Sequence, residues 1–366
     1  MEGIMKGEYN QMKKERLRIN YLDIAKAIAI FLVILGHSTT STEWTLLRKI
    51  LYSFHMPLFF AVSGVFVRTH VSSGYGWDHW KDFIVRNLKS LVFPYFAMAI
   101  IYSGVLHIAV PEILYGSWQM LKQAETLTSL WFLVCLFCAR IMMEFVLMSS
   151  TKFPKIDRHL YAGIAAVIAL IISFNLPVVE KGYPWCFNSA FTALACMLTG
   201  YALKDFLLKF QDNKTPVHFA GFLISAGLFA AGVLIQGEDI QVVKFHSNVL
   251  GNPFWFLYMA ISGSAMALFL ACALYKILSK KQENIVCRSL IWIGQNTKGI
   301  YLVHKPFHQD FIMIVLASLG MNRLSPLTGL LGSAITLPVS CVITGLINKY
   351  IPQIFGNFPE TKKAEA

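Results

Sequence analysis

Residues 21–38 read Tyr21-Leu-Asp-Ile-Ala-Lys-Ala-Ile-Ala-Ile-Phe-Leu-Val-Ile-Leu-Gly-His-Ser38. The stretch is apolar enough to enter a bilayer, yet it carries Asp23, Lys26 and His37. Lipid solvates an ionisable side chain so badly that one placed within a span points to a function or a specific partner. Lys26 and His37 are eleven positions apart, close to three helical turns, so both project from one face with about 16 Å of rise between them. Asp23 joins that face three positions before Lys26. One helix therefore offers a cation near one membrane surface and an imidazole much deeper. The residues alone leave a plainer reading open, in which Lys26 snorkels to the interface and His37 packs as a hydrogen-bonded core residue.

The rest of the chain supports the membrane setting. Of 366 residues, 56% are hydrophobic and only 14% are charged, and the mean hydropathy is +0.55, a balance too apolar for a soluble domain. The net charge of +12 fits retention of Lys and Arg on the cytoplasmic side of a polytopic protein better than a nucleic-acid partner. Seven cysteines form no framework, and the pair Cys135 and Cys138 sits inside an apolar run without a second pair, so no metal is expected there. Lys13, Lys14, Arg16 and Arg18 before an apolar segment resemble a signal peptide. Asp23, Lys26 and the lack of a small-residue cleavage site favour a retained helix instead.

Apolar runs near twenty residues fall at about ten places. They are Leu22–Ser38, Ile50–Val67, Leu91–Val110, Ser129–Met148, Leu160–Phe174, Phe187–Leu203, Val217–Ile235, Pro253–Leu278, Thr297–Leu319 and Ser325–Ile347. The expected fold is all-α, a polytopic helical bundle of about ten transmembrane helices. It comprises an N-terminal segment 1–21, a membrane domain 22–347 and a tail 348–366. With ten spans, alternate loops share a side, and one side then holds 22 of the 32 Lys and Arg against six on the other. The six are Arg48, Lys49, Lys122, Lys181, Lys244 and Arg323. By the positive-inside rule both termini are predicted cytoplasmic.

Orientation fixes depth. The first helix runs outward, so Lys26 lies about 6 Å above its inner end and His37 about 22 Å above it, in a core about 30 Å thick. The second runs inward from Ile50, placing His55 near the level of His37, where two histidines from successive helices can share a cavity. Pro57 is expected to kink that helix, and Ser63 with Gly64 permits close helix approach. Beyond it, Arg86-Asn-Leu-Lys89 sets two cations a helical turn apart before Pro94, a spacing that clamps phosphate or is ordinary positive-inside charge. His304 and His308 have a metal-ligand spacing, but Lys305 stands where a zinc protease has its glutamate and Pro306 interrupts the helix. Asp310 is a candidate for orienting a histidine or binding a hydroxyl, and Arg140 and Glu144, four apart, are expected to neutralise each other.

At these residues the chain resembles a known family. Asp23-x-x-Lys26, ten residues, Gly36 and His37; then Phe54-His-Met-Pro-Leu-Phe-Phe with Ser63-Gly64; then Arg86-x-x-Lys89 and Pro94: this order is similar to acyltransferase family 3, the integral-membrane O-acyltransferases. It looks most like the fucose 4-O-acetylase-related branch. Leu130-Trp-Phe-Leu133 and Ile300-Tyr-Leu-Val-His304 are weaker echoes, so the likeness covers nearly the whole membrane region. The resemblance implies about ten helices, a catalytic role for His37 and donor-binding roles for Lys26, Arg86 and Lys89. Lysine replaces the family's arginine at Lys26 and Lys89, keeping charge but losing the bidentate fork.

The implied reaction is acyl transfer from acetyl-coenzyme A to a sugar hydroxyl. An alcohol is a poor nucleophile at neutral pH and needs a base, and imidazole titrates in the useful range. His37, with His55 nearby, is the candidate catalytic group, as base or as nucleophile in an acetyl-histidine relay. Acetyl-coenzyme A is cytoplasmic, so its phosphates are expected at Arg86, Lys89 and Lys26, and no metal is expected. The expected partners are membrane lipid and a carbohydrate or glycolipid acceptor, in a multi-pass protein of a bacterial inner membrane. A ten-helix bundle with buried Asp, Lys and His also suits a proton-coupled transporter or a lipid-linked-sugar flippase, although no inverted repeat is visible.

Overall fold

A computed structural model describes residues 19–38, 46–67, 76–103, 109–123, 125–280, 284–306, 311–323 and 325–358. The basic residues Lys13 to Arg18, and His308 and Asp310, lie outside the described residues. The described chain is helical throughout, its one extended pairing being an isolated bridge between Lys244 and Val249. In chain order the helices are α1 (Asn20–Ser38), α2 (Leu46–Tyr52), α3 (His55–Val65), α4 (Trp77–Asn87), α5 (Phe93–Ser103), α6 (Val110–Tyr115), α7 (Trp118–Leu121), α8 (Trp131–Ser150) and α9 (Arg158–Asn175). There follow α10 (Phe187–Ala202), α11 (Lys204–Phe210), α12 (Thr215–Gln236), α13 (Pro253–Leu278), α14 (Ile285–Gln295), α15 (Thr297–Lys305), α16 (Met313–Ser318) and α17 (Pro326–Tyr350). A π turn, Leu88–Val92, joins α4 to α5, and a 3₁₀ turn, Glu125–Leu130, leads into α8.

Among the described residues, seven helical segments are long and apolar enough to cross a membrane, or eight if α10 and α11, bent by 59°, form one span. The other two expected spans coincide with shorter helices. In the second, α2 stops at Tyr52, Ser53 Oγ donates back to the Ile50 carbonyl at 2.7 Å, and α3 starts afresh at His55. Pro57 thus falls in the first turn of a new helix, where its missing N–H has no intrahelical partner to lose. The kink expected at Pro57 is a helix break two residues earlier. In the ninth, α15 and α16 lie on either side of residues 307–310, which are outside the described set.

The opening stretch forms the centre of the bundle. Tyr21, Leu22, Ile24, Ala25, Ala29, Ile30 and Ile34 of α1 are fully buried, against α3, α13, α14, α15 and α17. Within its apolar window 67% of α1 is buried, against 22% for α9 and for α12, so those two present their Ile, Leu and Val faces to lipid. An ionisable residue on α1 is therefore enclosed by protein. Gly64 and Gly200 make α3 and α10 a close pair, since a Cβ on either would lie 1.9 Å from the carbonyl oxygen of Met197 or Ala61. This is the close approach expected of a small residue in a span.

The loops collect at two ends as alternation of the spans requires. At the His37 end, Lys49 Nζ donates to the Glu238 carbonyl at 3.2 Å, Ser117 Oγ to the Lys181 carbonyl at 2.5 Å, and Trp118 stacks on His246 at 3.9 Å. At the Lys26 end, Tyr21 Oη donates to the Leu207 carbonyl at 2.7 Å, Lys204 Nζ to that of Val67 at 3.0 Å and Lys298 Nζ to that of Ser90 at 3.1 Å.

Candidate active site

His37 occupies the last turn of α1, and its ring lies 5.3 Å, centroid to centroid, from that of His304 at an interplanar angle of 39°. His304 is in the last turn of α15 and fully buried. Its Nδ1 lies 2.6 Å from the Tyr301 carbonyl; a carbonyl can only accept, so Nδ1 carries the proton and a neutral ring has its lone pair on Nε2. The next residue, Lys305, is buried and donates from Nζ to Thr128 Oγ1. Tyr301 Oη donates to the Ser129 carbonyl at 2.6 Å, so two bonds tie the end of α15 to the turn that begins α8. Pro306, which follows α15 with helical φ and ψ of -59° and -42°, carries the chain into a π turn, so His304 lies in the last α-helical turn beside His37.

His55 reaches this region through Tyr52. The break after Tyr52 resets the helical face, and His55 Nδ1 donates to the Leu51 carbonyl at 2.6 Å while its ring meets Tyr52 edge-on at 5.0 Å. Tyr52 also packs on Gly36: a Cβ there would sit 2.8 Å from Tyr52 Cε2. The glycine beside His37 is thus a seat for an aromatic ring, and His55 supports that ring from its other contact. Arg48 lies over Tyr52, with Cζ 5.3 Å from the ring centroid. Sequence reasoning saw His304 only as half of a metal pair with His308. The usable signal was a histidine and a lysine directly before a proline in a span.

At the other end of α1, Lys26 Nζ and Asp23 Oδ1 are 2.6 Å apart, and Asp23 Oδ2 accepts from Gln295 Nε2 at 3.3 Å. Lys26 also lies over Phe66 at 5.0 Å. Its charge is compensated within the bundle, so an electrostatic role toward a ligand is shared with a structural one.

Arg86 closes α4 and Lys89 stands in the π turn, both exposed. Two cations missed as candidates join them. Arg140 Nη1 donates to Asn87 Oδ1 at 3.1 Å and lies within electrostatic reach of Arg86 and Lys298. Lys298 reaches the Ser90 carbonyl. The Arg140–Glu144 attraction expected from spacing is present, and Glu144 gains a second partner, its Oε1 lying 2.7 Å from His79 Nε2. Four cations from α4, the π turn, α8 and α15 thus surround one helical irregularity, an arrangement suited to several phosphates. A polar cavity of about 390 Å³ opens at the same end, lined by Gln211, Asp212, Thr215, Tyr275, Lys276 and Ser279; Asn20 of α1 donates to the Tyr275 hydroxyl at 3.3 Å.

A membrane bundle with a histidine pair at one end of its central helix, His304 buried and His37 half-buried, and a cation cluster at the other has the parts of an integral-membrane group-transfer protein. Comparison with known protein families matches residues 19–345 to the acyltransferase domain of acyltransferase family 3. The chain belongs to that family, and it is a multi-pass membrane acyltransferase. No curated protein matches it.

Proposed function

We propose that this protein is an O-acetyltransferase that moves the acetyl group of acetyl-coenzyme A to a hydroxyl of a sugar in a surface polysaccharide or lipid-linked glycan. The observation that carries the reading is the division of α1 between two kinds of chemistry. Four cations gather at its Lys26 end, and His37 faces His304 about 16 Å along the helix.

In this reading Arg86, Lys89, Arg140 and Lys298 take the phosphates of the donor at the cytoplasmic face, and Lys26, compensated by Asp23, contributes less. The pantetheine arm then runs along α1 toward His37. His37 removes the hydroxyl proton as the oxygen attacks the thioester carbonyl. The tetrahedral adduct collapses, its carbon–sulfur bond breaks, and the imidazolium returns the proton to the departing thiolate. Lys305 is the cation nearest in sequence to the histidine pair and supplies positive charge where the oxyanion develops. His304, its Nδ1 proton held by a backbone carbonyl, fixes the polar surroundings of His37.

Membership of an acyltransferase family favours the enzyme over a transporter. The fucose 4-O-acetylase-like motifs support a sugar acceptor, and the charge asymmetry supports cytoplasmic termini in a bacterial inner membrane. The test is acetyl transfer by the detergent-purified chain: release of free coenzyme A coupled to acetylation of a glycan, lost in His37→Ala, supports the proposal. A pure protein that binds no coenzyme A and turns over no thioester overturns it.

A further inference from the structure

The loops that the charge pattern assigns to the His37 side keep only six Lys and Arg, and three of them converge. Arg48 comes from α2, Lys122 directly follows α7, and Lys244 belongs to the connection between α12 and α13; all three act electrostatically on the imidazole of His246. Burial foremost, with Lys244, Arg48 and Lys122 adding to it, pushes His246 down to about 3, so the ring is neutral in the physiological range.

Geometry fixes the cluster. His246 stacks on Trp118 at 3.9 Å and 20°, and Lys122 Nζ stands over the same indole at 5.3 Å. Lys244 is held by its bridge to Val249, with N···O distances of 2.7 and 3.1 Å. Among the described residues, neither Lys122 nor Lys244 enters an ion pair with a carboxylate. Like charges drawn together from three separate loops repel unless an anion lies among them.

Packed rings connect the cluster to the histidine pair. Arg48 packs over Tyr52, and Tyr52 packs on Gly36, the neighbour of His37. Trp131, whose ring is 6.1 Å from His246, begins α8 directly after the turn that binds Lys305 and Tyr301.

We propose that Arg48, Lys122, Lys244 and His246 form the acceptor subsite, and that the acceptor is an anionic glycan whose carboxylate or phosphate sits among the three cations while a nearby hydroxyl is presented to His37. The inference rests on the acetyltransferase reading and narrows its acceptor. His246 Nδ1 is engaged with Ser247 Oγ at 2.6 Å, so Nε2 is the nitrogen through which the neutral ring hydrogen-bonds a sugar hydroxyl.

The test uses the full chain in nanodiscs of neutral phosphatidylcholine and three labelled octasaccharides: hyaluronan, which bears carboxylates, a phosphomannan fragment, which bears phosphates, and neutral maltooctaose. At least one anionic probe is expected to bind about ten-fold more tightly than maltooctaose, and which one binds identifies the source of the charge. The double charge reversal Lys122→Glu with Lys244→Glu is expected to weaken that binding by about ten-fold or more, and Lys122→Gln with Lys244→Gln by less. Lys181→Glu, from the same set of six cations, is expected to bind as wild type does. Coenzyme A binding, measured on the same samples, reports that each variant is folded. Equal binding of charged and neutral probes, no binding of either anionic probe, or wild-type affinity in the double reversal overturns the subsite. Loss of the acetyltransferase reading has a separate signature: the wild-type chain then holds the anionic glycan but neither binds coenzyme A nor cleaves its thioester.

Discussion

The imidazole of His37 meets that of His304 at 5.3 Å, although 267 positions separate them in the chain. The contact brings the C-terminal end of α1 against α15, so the histidine of the central helix has a second imidazole beside it. A change at one ring therefore alters the surroundings of the other.

His37→Ala is therefore expected to abolish acetyl transfer while coenzyme A still binds. His304→Asn keeps a polar group of similar size and is expected to lower turnover by about 10²-fold and to move the pH–rate profile, because His304 acts through His37. An unchanged profile with reduced protein yield would make His304 a packing residue only. Turnover and pH dependence of the purified variants, with thermal unfolding alongside, provide the measurement.

Direct transfer and an acetyl-histidine relay differ before any acceptor is added. Direct transfer keeps coenzyme A bound as the thioester until a hydroxyl arrives. A relay releases about one equivalent of coenzyme A per protein in a rapid burst and leaves an acetyl group on His37. Rapid-quench detection of free thiol, with intact-mass measurement of the protein, separates the two. Direct transfer is expected, since the His37–His304 pair suits proton movement.

Gly36→Ala is expected to impair activity without unfolding the protein. The added methyl lands 2.8 Å from Tyr52 Cε2, closer than carbon atoms approach, so the ring must shift and carry Arg48 and His55 with it. Tyr52→Leu removes the obstructing edge, and the pair Gly36→Ala with Tyr52→Leu is expected to recover part of the loss. Activity in Gly36→Ala equal to wild type would show that the seat is loose.

How much of this was legible in the sequence depends on the range of the interaction. The period and apolarity of residues 21–38 gave the central helix, and Lys and Arg asymmetry gave loops that do meet at two ends. Spacing within one helix also found the Asp23–Lys26 contact. What spacing alone missed were partners on other helices: Glu144 also meets His79, and Arg140 also meets Asn87. The helix break at Ser53–Phe54, which sets His55 against Leu51 and Tyr52, has no local signal either. His304 and Lys298 acquired their meaning from contacts across more than 200 positions, which no local pattern carries.

The Asp23–Lys26 pair makes a stability prediction. Asp23 is almost fully buried and Lys26 mostly so, and removing one member of a buried pair leaves the other charge uncompensated at a cost of about 3 kcal/mol. Lys26→Met is expected to lower the unfolding temperature in detergent more than Asp23→Asn with Lys26→Met does. If the single and double variants melt alike, Asp23 is held by Gln295 rather than by Lys26.

The donor end gives the sharpest division of labour. Arg86 is exposed at the end of α4, so its removal disturbs little packing, whereas Arg140 also holds Asn87 beside the π turn. If these cations bind donor phosphates, Arg86→Ala loses a charge-assisted contact of roughly 1.5–3 kcal/mol and raises the KM for acetyl-coenzyme A by about ten- to a hundred-fold at nearly constant kcat. Arg140→Lys keeps the charge but loses the planar fork, and is expected to raise KM without lowering the unfolding temperature as Arg140→Ala does. Acetyl-pantetheine, which lacks the nucleotide phosphates, supplies the control: wild type and Arg86→Ala are expected to use it equally poorly, because the lost contact has nothing to bind. A variant that loses the same factor toward both donors would place Arg86 in the architecture of the bundle and not on the phosphates.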